Sequence, residues 1–527
     1  MSTAREITEH EILSAGAAQL ASWIRERKIS SRRVTECFID RTKATHDRLN
    51  AVIAPRFEQA LAVADQRDRQ VEQAEIVGLL HGVPFTVKEC FHVQGMDSTI
   101  GLTHRVGHPE TETGVLVRRL ETAGGVLLGK TNVPQMMLWH ECDNPVYGCT
   151  NNPWDLSRTP GGSTGGEGAI VAAAGSPLGL GNDLGGSIRL PAHFCGIHGI
   201  KPTNHRLPRS GTFRNFRGLE AMVTQAGPLS RHVDDLILGL KVLGEGDATQ
   251  HDDVSPVPLG DAGTVDVTSL RIGIYDDDGY FSAAPSLRRL VGEASSVLRD
   301  AGVSVKTVDP YRTREMVEIY FGIMTADSGA DLHRIAKGSE LDRRTAHLLR
   351  LAKMPRWLRK TIGGALKLQG QQRFAQLLTM GGRCSADEYW QLTDRLNRYR
   401  AGLSMYLEQQ QVDLLMLPPH ALPAMKHRLP LDLIDAASYS LLANVSGFPA
   451  GVVSLSKVRP GEESDRSDSR DTVIKKAQRA EQNSTGLPIG VQVVGRMWQE
   501  HQVLAVMKLL ESKFRLREDY PSEIPLS

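Results

Sequence analysis

Two serines sit in glycine-rich loops, Gly161-Gly162-Ser163-Thr164-Gly165-Gly166 and Gly185-Gly186-Ser187-Ile188-Arg189, 24 residues apart. An apolar stretch, Ala169 to Leu180, joins them, and upstream Lys88 closes the run Pro84-Phe85-Thr86-Val87. A serine hydroxyl is a poor nucleophile until a base takes its proton. A lysine can be that base only when neutral, which requires burial or nearby positive charge.

Three chemistries compete for these residues. Phosphate binding fails on residue type: Glu167 follows Gly166 where a Walker loop needs Lys, and Gly179-Leu180-Gly181 continues into Asn182-Asp183-Leu184, not toward a third glycine. A nucleophile elbow at Ser163 matches G-x-S-x-G formally. Such an elbow follows a buried strand, whereas Asn152 to Pro160 has loop chemistry. The third chemistry uses Lys88, Ser163 and Ser187 together, with one serine relaying a proton between the lysine and the other. Gly185 and Gly186 would then let backbone N–H groups reach a developing oxyanion. Spacing alone leaves both serines as candidate nucleophiles.

The elements that position these residues follow from periodicity. Ile12 to Val52 reads as two helices, the second N-capped by Ser30 or Ser31. Pro84 to Val87 has strand composition, placing Lys88 at a strand end. Val115–Ala123 and Ser286–Ala301 read as helices, and 125–128, 270–275, 303–308 and 414–417 as strands. Val452–Leu455 and Gly490–Val494 read as a strand pair. The expected fold is α/β: one domain over 1–527, with a central twisted mixed β-sheet covered by helices on both faces and a catalytic core over about 70–250. The polar segment 459–485 reads as a mobile surface excursion.

Composition, 40% hydrophobic and 23% charged over 527 residues, is that of a globular protein with a large core. The polar N-terminus shows no secretory pattern, and no run reaches ~18 apolar residues, so neither leader nor spanning helix is expected. Cys37, Cys90, Cys142, Cys149, Cys195 and Cys384 form no C-x-x-C pair. That argues against zinc and disulfide frameworks and for a reducing, cytoplasmic setting. No metal and no cofactor is expected.

The stretch from Pro160 to Gly168, continuing from Gly181 through the Gly-Gly-Ser-Ile-Arg of 185–189 to Pro202, resembles the amidase signature family. Supporting stretches are His81–Lys88, Gly129–Asn132 and Gly486–Gly495. Within the family the chain most resembles the fatty acid amide hydrolase group. The matches are Gly165-Gly166-Glu167-Gly168, Ser176–Gly181, Phe448–Val453 and Trp498-Gln499-Glu500. The resemblance implies Ser187 as nucleophile, Ser163 as bridging serine beside a cis peptide bond, and Lys88 as terminal base. It implies Leu184, Gly185, Gly186 and Ser187 as the oxyanion hole and Met137 as a substrate contact. Thr164 and Asn182 depart from the usual residues of that group. Asp183 and Arg189 are expected to hold the loop as an ion pair, and His193 and His198 to be structural or on the surface.

From Arg343 to Ala386 there are ten Lys or Arg and no Asp or Glu. On a helical wheel Arg356, Arg359, Lys360, Gly363 and Lys367 share one face, opposite Trp357, Leu358, Ile362, Ala365, Leu366 and Leu368, with a break near Gly370. This is the pattern of an interfacial membrane helix; an ordinary amphipathic helix packed on the core is the competing reading. The resemblance favours a membrane-facing segment over about 343–380. Nucleic acid is not an expected partner, because no nucleic-acid motif accompanies the block. The expected activity is hydrolysis of lipophilic amides, with a small lipophilic amide as partner, peripheral membrane contact, and a homodimer as a further assembly. The alternative is an amidase for small polar amides or an amidotransferase A-type subunit.

Overall fold

A computed structural model describes residues 7–214, 216–245 and 254–526. Its strands are β1 (Val52–Pro55), β2 (Pro84–Lys88), β3 (Val126–Thr131), β4 (Asp143–Asn144), β5 (Gly148–Cys149), β6 (Leu178–Asp183), β7 (His198–Lys201), β8 (Gln225–Ser230), β9 (Arg271–Ile274), β10 (Ser304–Thr307), β11 (Leu414–Leu417), β12 (Ala450–Lys457) and β13 (Pro488–Gly495). Eleven form one mixed sheet in the order β1-β3-β2-β6-β8-β7-β12-β13-β11-β9-β10, while β4 and β5 make a separate ribbon. Along β2, β3, β6, β7, β8, β11 and β13 every residue is buried, as strands covered on both faces must be. The Val233–Gly244 helix packs on β8 and the Glu500–Phe514 helix on β12 and β13.

The fold is thus the α/β arrangement expected, with β9, its following helix and β10 forming the anticipated βαβ unit and β12 pairing antiparallel with β13. The N-terminal region holds three helices, not two: Glu9–Ser14, Ala17–Arg25 and Ser31–Leu49. The first is closed by a capping box between Thr8 and Glu11, and Gly16 caps the second. Ser30 caps the third.

Between β12 and β13, the polar excursion carries a helix, Thr472–Glu481, N-capped by Asp471. Its Glu481 is buried against Arg466, and the fully buried Arg158 donates to the carbonyls of Ala480, Gln482 and Asn483.

The feature that matters for chemistry is the β2–β6 pairing. These strands are parallel, with Thr86 opposite Gly179 and Val87 opposite Leu180. Their C-terminal ends, Lys88 and Asp183, therefore reach the same edge of the sheet.

Candidate active site

Lys88 ends β2 with its side chain fully buried. Ser163 precedes the Gly165–Ala172 helix, after a cis Gly162–Ser163 peptide bond. Ser187 lies in the turn between β6 and the Arg189–Cys195 helix. The three side chains form one hydrogen-bonded row: Lys88 Nζ to Ser163 Oγ is 2.7 Å, and Ser163 Oγ to Ser187 Oγ is 3.1 Å. Lys88 does not contact Ser187 in this row, so Ser163 is the bridge between them. No strand leads into Ser163, as the elbow reading would require.

Burial pushes the Lys88 ammonium down to about 8, against weaker opposing pulls from Cys90 and Asp183. About a tenth of it is then neutral at pH 7. Its other hydrogen bond runs to Asn182 Oδ1 at 2.7 Å, while Asn182 Nδ2 donates to Cys90 Sγ at 3.4 Å. Asn182, noted in the sequence only as a departure, thus holds the lysine. Glu167 accepts from Thr86 on β2 (2.6 Å) and Thr131 on β3 (2.8 Å). Burial raises its carboxyl to about 8, leaving mostly a neutral acid beside Lys88 at pH 7 rather than a counter-charge.

The nucleophile turn is held from beneath by the expected Asp183–Arg189 pair, both side chains fully buried. Burial alone would raise the Asp183 carboxyl, but the Arg189 guanidinium holds it well below the usual carboxylate range. Asp183 accepts from the Gly186 and Ile188 N–H groups at 2.8 and 3.1 Å. Arg189 also donates to Ser440 O, Gln492 Oε1 and Asn444 Oδ1, all within 2.7 Å. Those three partners lie more than 250 residues downstream, and nothing local in the sequence announces them.

In this network the Gly186 N–H is engaged by Asp183; its φ is +99°, and a Cβ there would stand 2.9 Å from Leu190 Cγ. The N–H groups of Leu184, Gly185 and Ser187 make no hydrogen bond to protein among the described residues. A Cβ on Gly185 would stand 2.3 Å from the Tyr320 hydroxyl, so that position also requires glycine.

A cavity of about 930 Å³, counting its open mouth, lies over the serines. Met137 and Leu184 line it, together with Phe91, Phe213, Phe216, Tyr320, Phe321, Met324, Ile434 and Leu441. Most of these apolar wall residues carry no motif. His140 also lines it, its Nε2 donating to Gly185 O at 3.0 Å; burial lowers its pKa to about 4, so the ring is neutral. His193 and His198 are both buried rather than on the surface. His193 bridges Leu422 O and the Gly490 N–H, and His198 faces Glu511.

The basic segment carries the largest surprise. In the Arg356–Leu368 helix the buried residues are Arg359 and Gly363, from the polar face. Arg359 is 6% exposed and donates to the carbonyls of Leu351, Ala352 and Met354, while Trp357 is 69% and Leu368 93% exposed. On the apolar face Leu358, Ile362 and Leu366 are half-buried, and on the polar face Arg356, Lys360 and Lys367 are exposed. The chain break falls where expected, with the next helix starting at Gln372.

A row of Ser, Ser and Lys at the floor of a pocket defines a serine hydrolase of the amidase type, and the Amidase family model matches residues 33–504: the chain belongs to the amidase signature family. It is 37% identical to fatty-acid amide hydrolase 1 of Sus scrofa over 451 residues, 84% of this chain and 77% of that one. It is 31% identical to fatty acid amide hydrolase 1 of Caenorhabditis elegans over 473 residues, 88% of this chain and 82% of that one. A solved fatty acid amide hydrolase superposes with a TM-score of 0.84 at 26% identity, covering 96% of this chain and 86% of the other. The protein is an amide hydrolase, and the Ser-Ser-Lys triad is characteristic of its family. No helix among the described residues is long and apolar enough to cross a membrane.

Proposed function

We propose that this amidase hydrolyses lipophilic N-acyl amides through an acyl-enzyme on Ser187. The observation carrying the proposal is the Lys88–Ser163–Ser187 row at the floor of a cavity walled by aromatic and aliphatic side chains. Neutral Lys88 takes the Ser163 proton as Ser163 takes that of Ser187, and Ser187 Oγ attacks the amide carbonyl. The Leu184, Gly185 and Ser187 N–H groups donate to the oxyanion. The proton returns through Ser163 to the nitrogen, the C–N bond breaks and the amine leaves. Water then adds to the acyl carbon by the same relay, releasing the carboxylic acid and restoring Ser187. The two fatty-acid amide hydrolases to which the chain is similar support an acyl chain as the apolar part.

The exposed Trp357 and Leu368 of the Arg356–Leu368 helix support docking of this enzyme on a membrane surface. Its Trp357 and Leu368 would enter the acyl boundary, while Arg343, Arg350 and Lys353 belong to the same basic block. The Thr313–Met324 helix preceding this region gives Tyr320, Phe321 and Met324 to the cavity wall.

The test is a substrate series on one amine, from acetyl through oleoyl to arachidonoyl. We expect kcat/KM to rise by about fourfold per buried methylene until the cavity is filled. A maximum at acetyl, or a flat series, would refute the lipophilic reading while leaving the amidase intact.

A further inference from the structure

Outside the Lys88–Ser163–Ser187 row, three donors of different kinds converge. Glu141, Cys149 on β5 and His427 each offer one ligand atom, all within 4.8 Å of one another. His427 Nδ1 lies 2.9 Å from Glu141 Oε1 and 3.6 Å from Cys149 Sγ. Donors about 2.0–2.3 Å from a tetrahedral ion stand roughly 3.3–3.8 Å apart, so the Cys149–His427 separation already suits a zinc ion and the His427–Glu141 pair has to open by a few tenths of an ångström to admit one.

Each donor is set in place by the fold. Cys149 pairs with Asp143 in the β4–β5 ribbon. The His427 N–H donates to Ser157 O, with Arg158 and Lys426 bridged beside it. The second ring nitrogen, Nε2, lies 3.1 Å from Asn151 Oδ1, and Asn151 is itself anchored through Nδ2 to Arg48 O. An amide oxygen can only accept, so Nε2 carries a hydrogen. This is the outer partner that fixes the tautomer of a metal-bound histidine and turns Nδ1 toward the ion.

Charge points the same way. Arg344 alone serves three carboxylates, Glu141, Asp143 and Asp342, and it takes Glu141 through Oε2 at 2.6 Å, while Oε1 faces His427 and also accepts from the Arg428 N–H at 2.9 Å. Cys149 and His427 are partly exposed, which gives an ion and a completing water a way in.

We propose that Glu141, Cys149 and His427 form a binding site for a borderline-soft divalent ion, Zn²⁺ being the fitting probe, with water in the fourth position. Binding replaces the hydrogen between His427 Nδ1 and Glu141 Oε1 and the Cys149 thiol proton; both leave to solvent with no redox change. The donors come from segments far apart in the chain, so no Cys-x-x-Cys spacing betrays the site. The ion would act on the catalytic loop through Glu141, whose backbone O and N lie 2.4 and 2.8 Å from where a Gly162 Cβ would stand.

The test is calorimetric titration of the full chain with Zn²⁺ after chelator treatment, read together with iodoacetamide labelling of Cys149. We expect one equivalent bound with proton release, and Cys149 protected by the ion. Cys149→Ser and His427→Gln should each weaken binding at least about 100-fold, and Asn151→Ala about 10–100-fold. Wild-type protein that takes up no equivalent, Cys149 alkylated equally fast with and without Zn²⁺, or a Cys149→Ser variant that binds as tightly would each overturn the site. Cys149 protection in unaltered protein keeps the test decisive should a variant fold poorly.

Discussion

The nucleophile turn and the Arg356–Leu368 helix each bury one arginine, yet the fold treats those two charges in different ways. Arg189 is buried completely and every one of its contacts is a named acceptor: Asp183, Ser440, Asn444 and Gln492. Arg359 is also buried, but against helix-end carbonyls, with Trp357 and Leu368 of its own helix left exposed. The first arrangement uses a buried ion pair to hold a turn that must not move. The second uses one buried arginine to attach a helix end and leaves Trp357 and Leu368 for another medium. Buried charge fixes geometry at the turn, whereas exposed apolar surface creates a contact in the helix.

Three perturbations separate these roles. The largest effect should come from Lys88→Ala, which removes the base and leaves the pocket intact. Amide hydrolysis should fall about 10²–10⁴-fold, and ester hydrolysis much less, because an alkoxide needs less help in leaving. The pH profile supplies the sign: the base must be neutral, so wild-type kcat/KM should climb as pH rises toward about 8 and level above it, and the variant should lose that inflection. Equal losses on amide and ester would remove Lys88 from the proton path.

Next is Asp183→Asn, which leaves a buried guanidinium without its counter-charge. Urea unfolding should show a loss of about 3–5 kcal/mol. A neutral result would mean that Asn444 and Gln492 hold Arg189 unaided and that the pair is not what fixes the turn. The smallest effect on the fold should come from Trp357→Ala combined with Leu368→Ala. Stability should change by less than about 0.5 kcal/mol. Co-sedimentation with anionic vesicles should fall about tenfold or more, given about 1.5–3 kcal/mol for each large side chain withdrawn from an apolar phase. Unchanged sedimentation would mean that this face meets something other than lipid.

Much of the catalytic edge was legible because it is local. Lys88 ends an apolar run that could only be a buried strand, and the glycines around Ser163 and Ser187 mark tight turns. The order of roles was not legible from spacing, since both serines fit. The parallel register of β2 against β6 brings Lys88 to the strand end that leads into Ser187, and the loop before the Gly165–Ala172 helix puts Ser163 between them. The partners of Arg189 and the cavity walls, from Phe213 to Leu441, come from distant elements whose proximity is a property of the sheet order. Periodicity found the two faces of the Arg356–Leu368 helix but could not say which of their residues are buried. That depends on the last carbonyls of the preceding helix, which only the packing brings to Arg359. Asn182 looked like a minor departure in a loop, yet its side-chain oxygen holds the catalytic lysine.

The central claim is that Ser187, not Ser163, carries the acyl group. Labelling with a fluorophosphonate, followed by peptide mass spectrometry, tests it directly. The account predicts a single adduct on Ser187 and none in Ser187→Ala. An adduct on Ser163, in either protein, would contradict it.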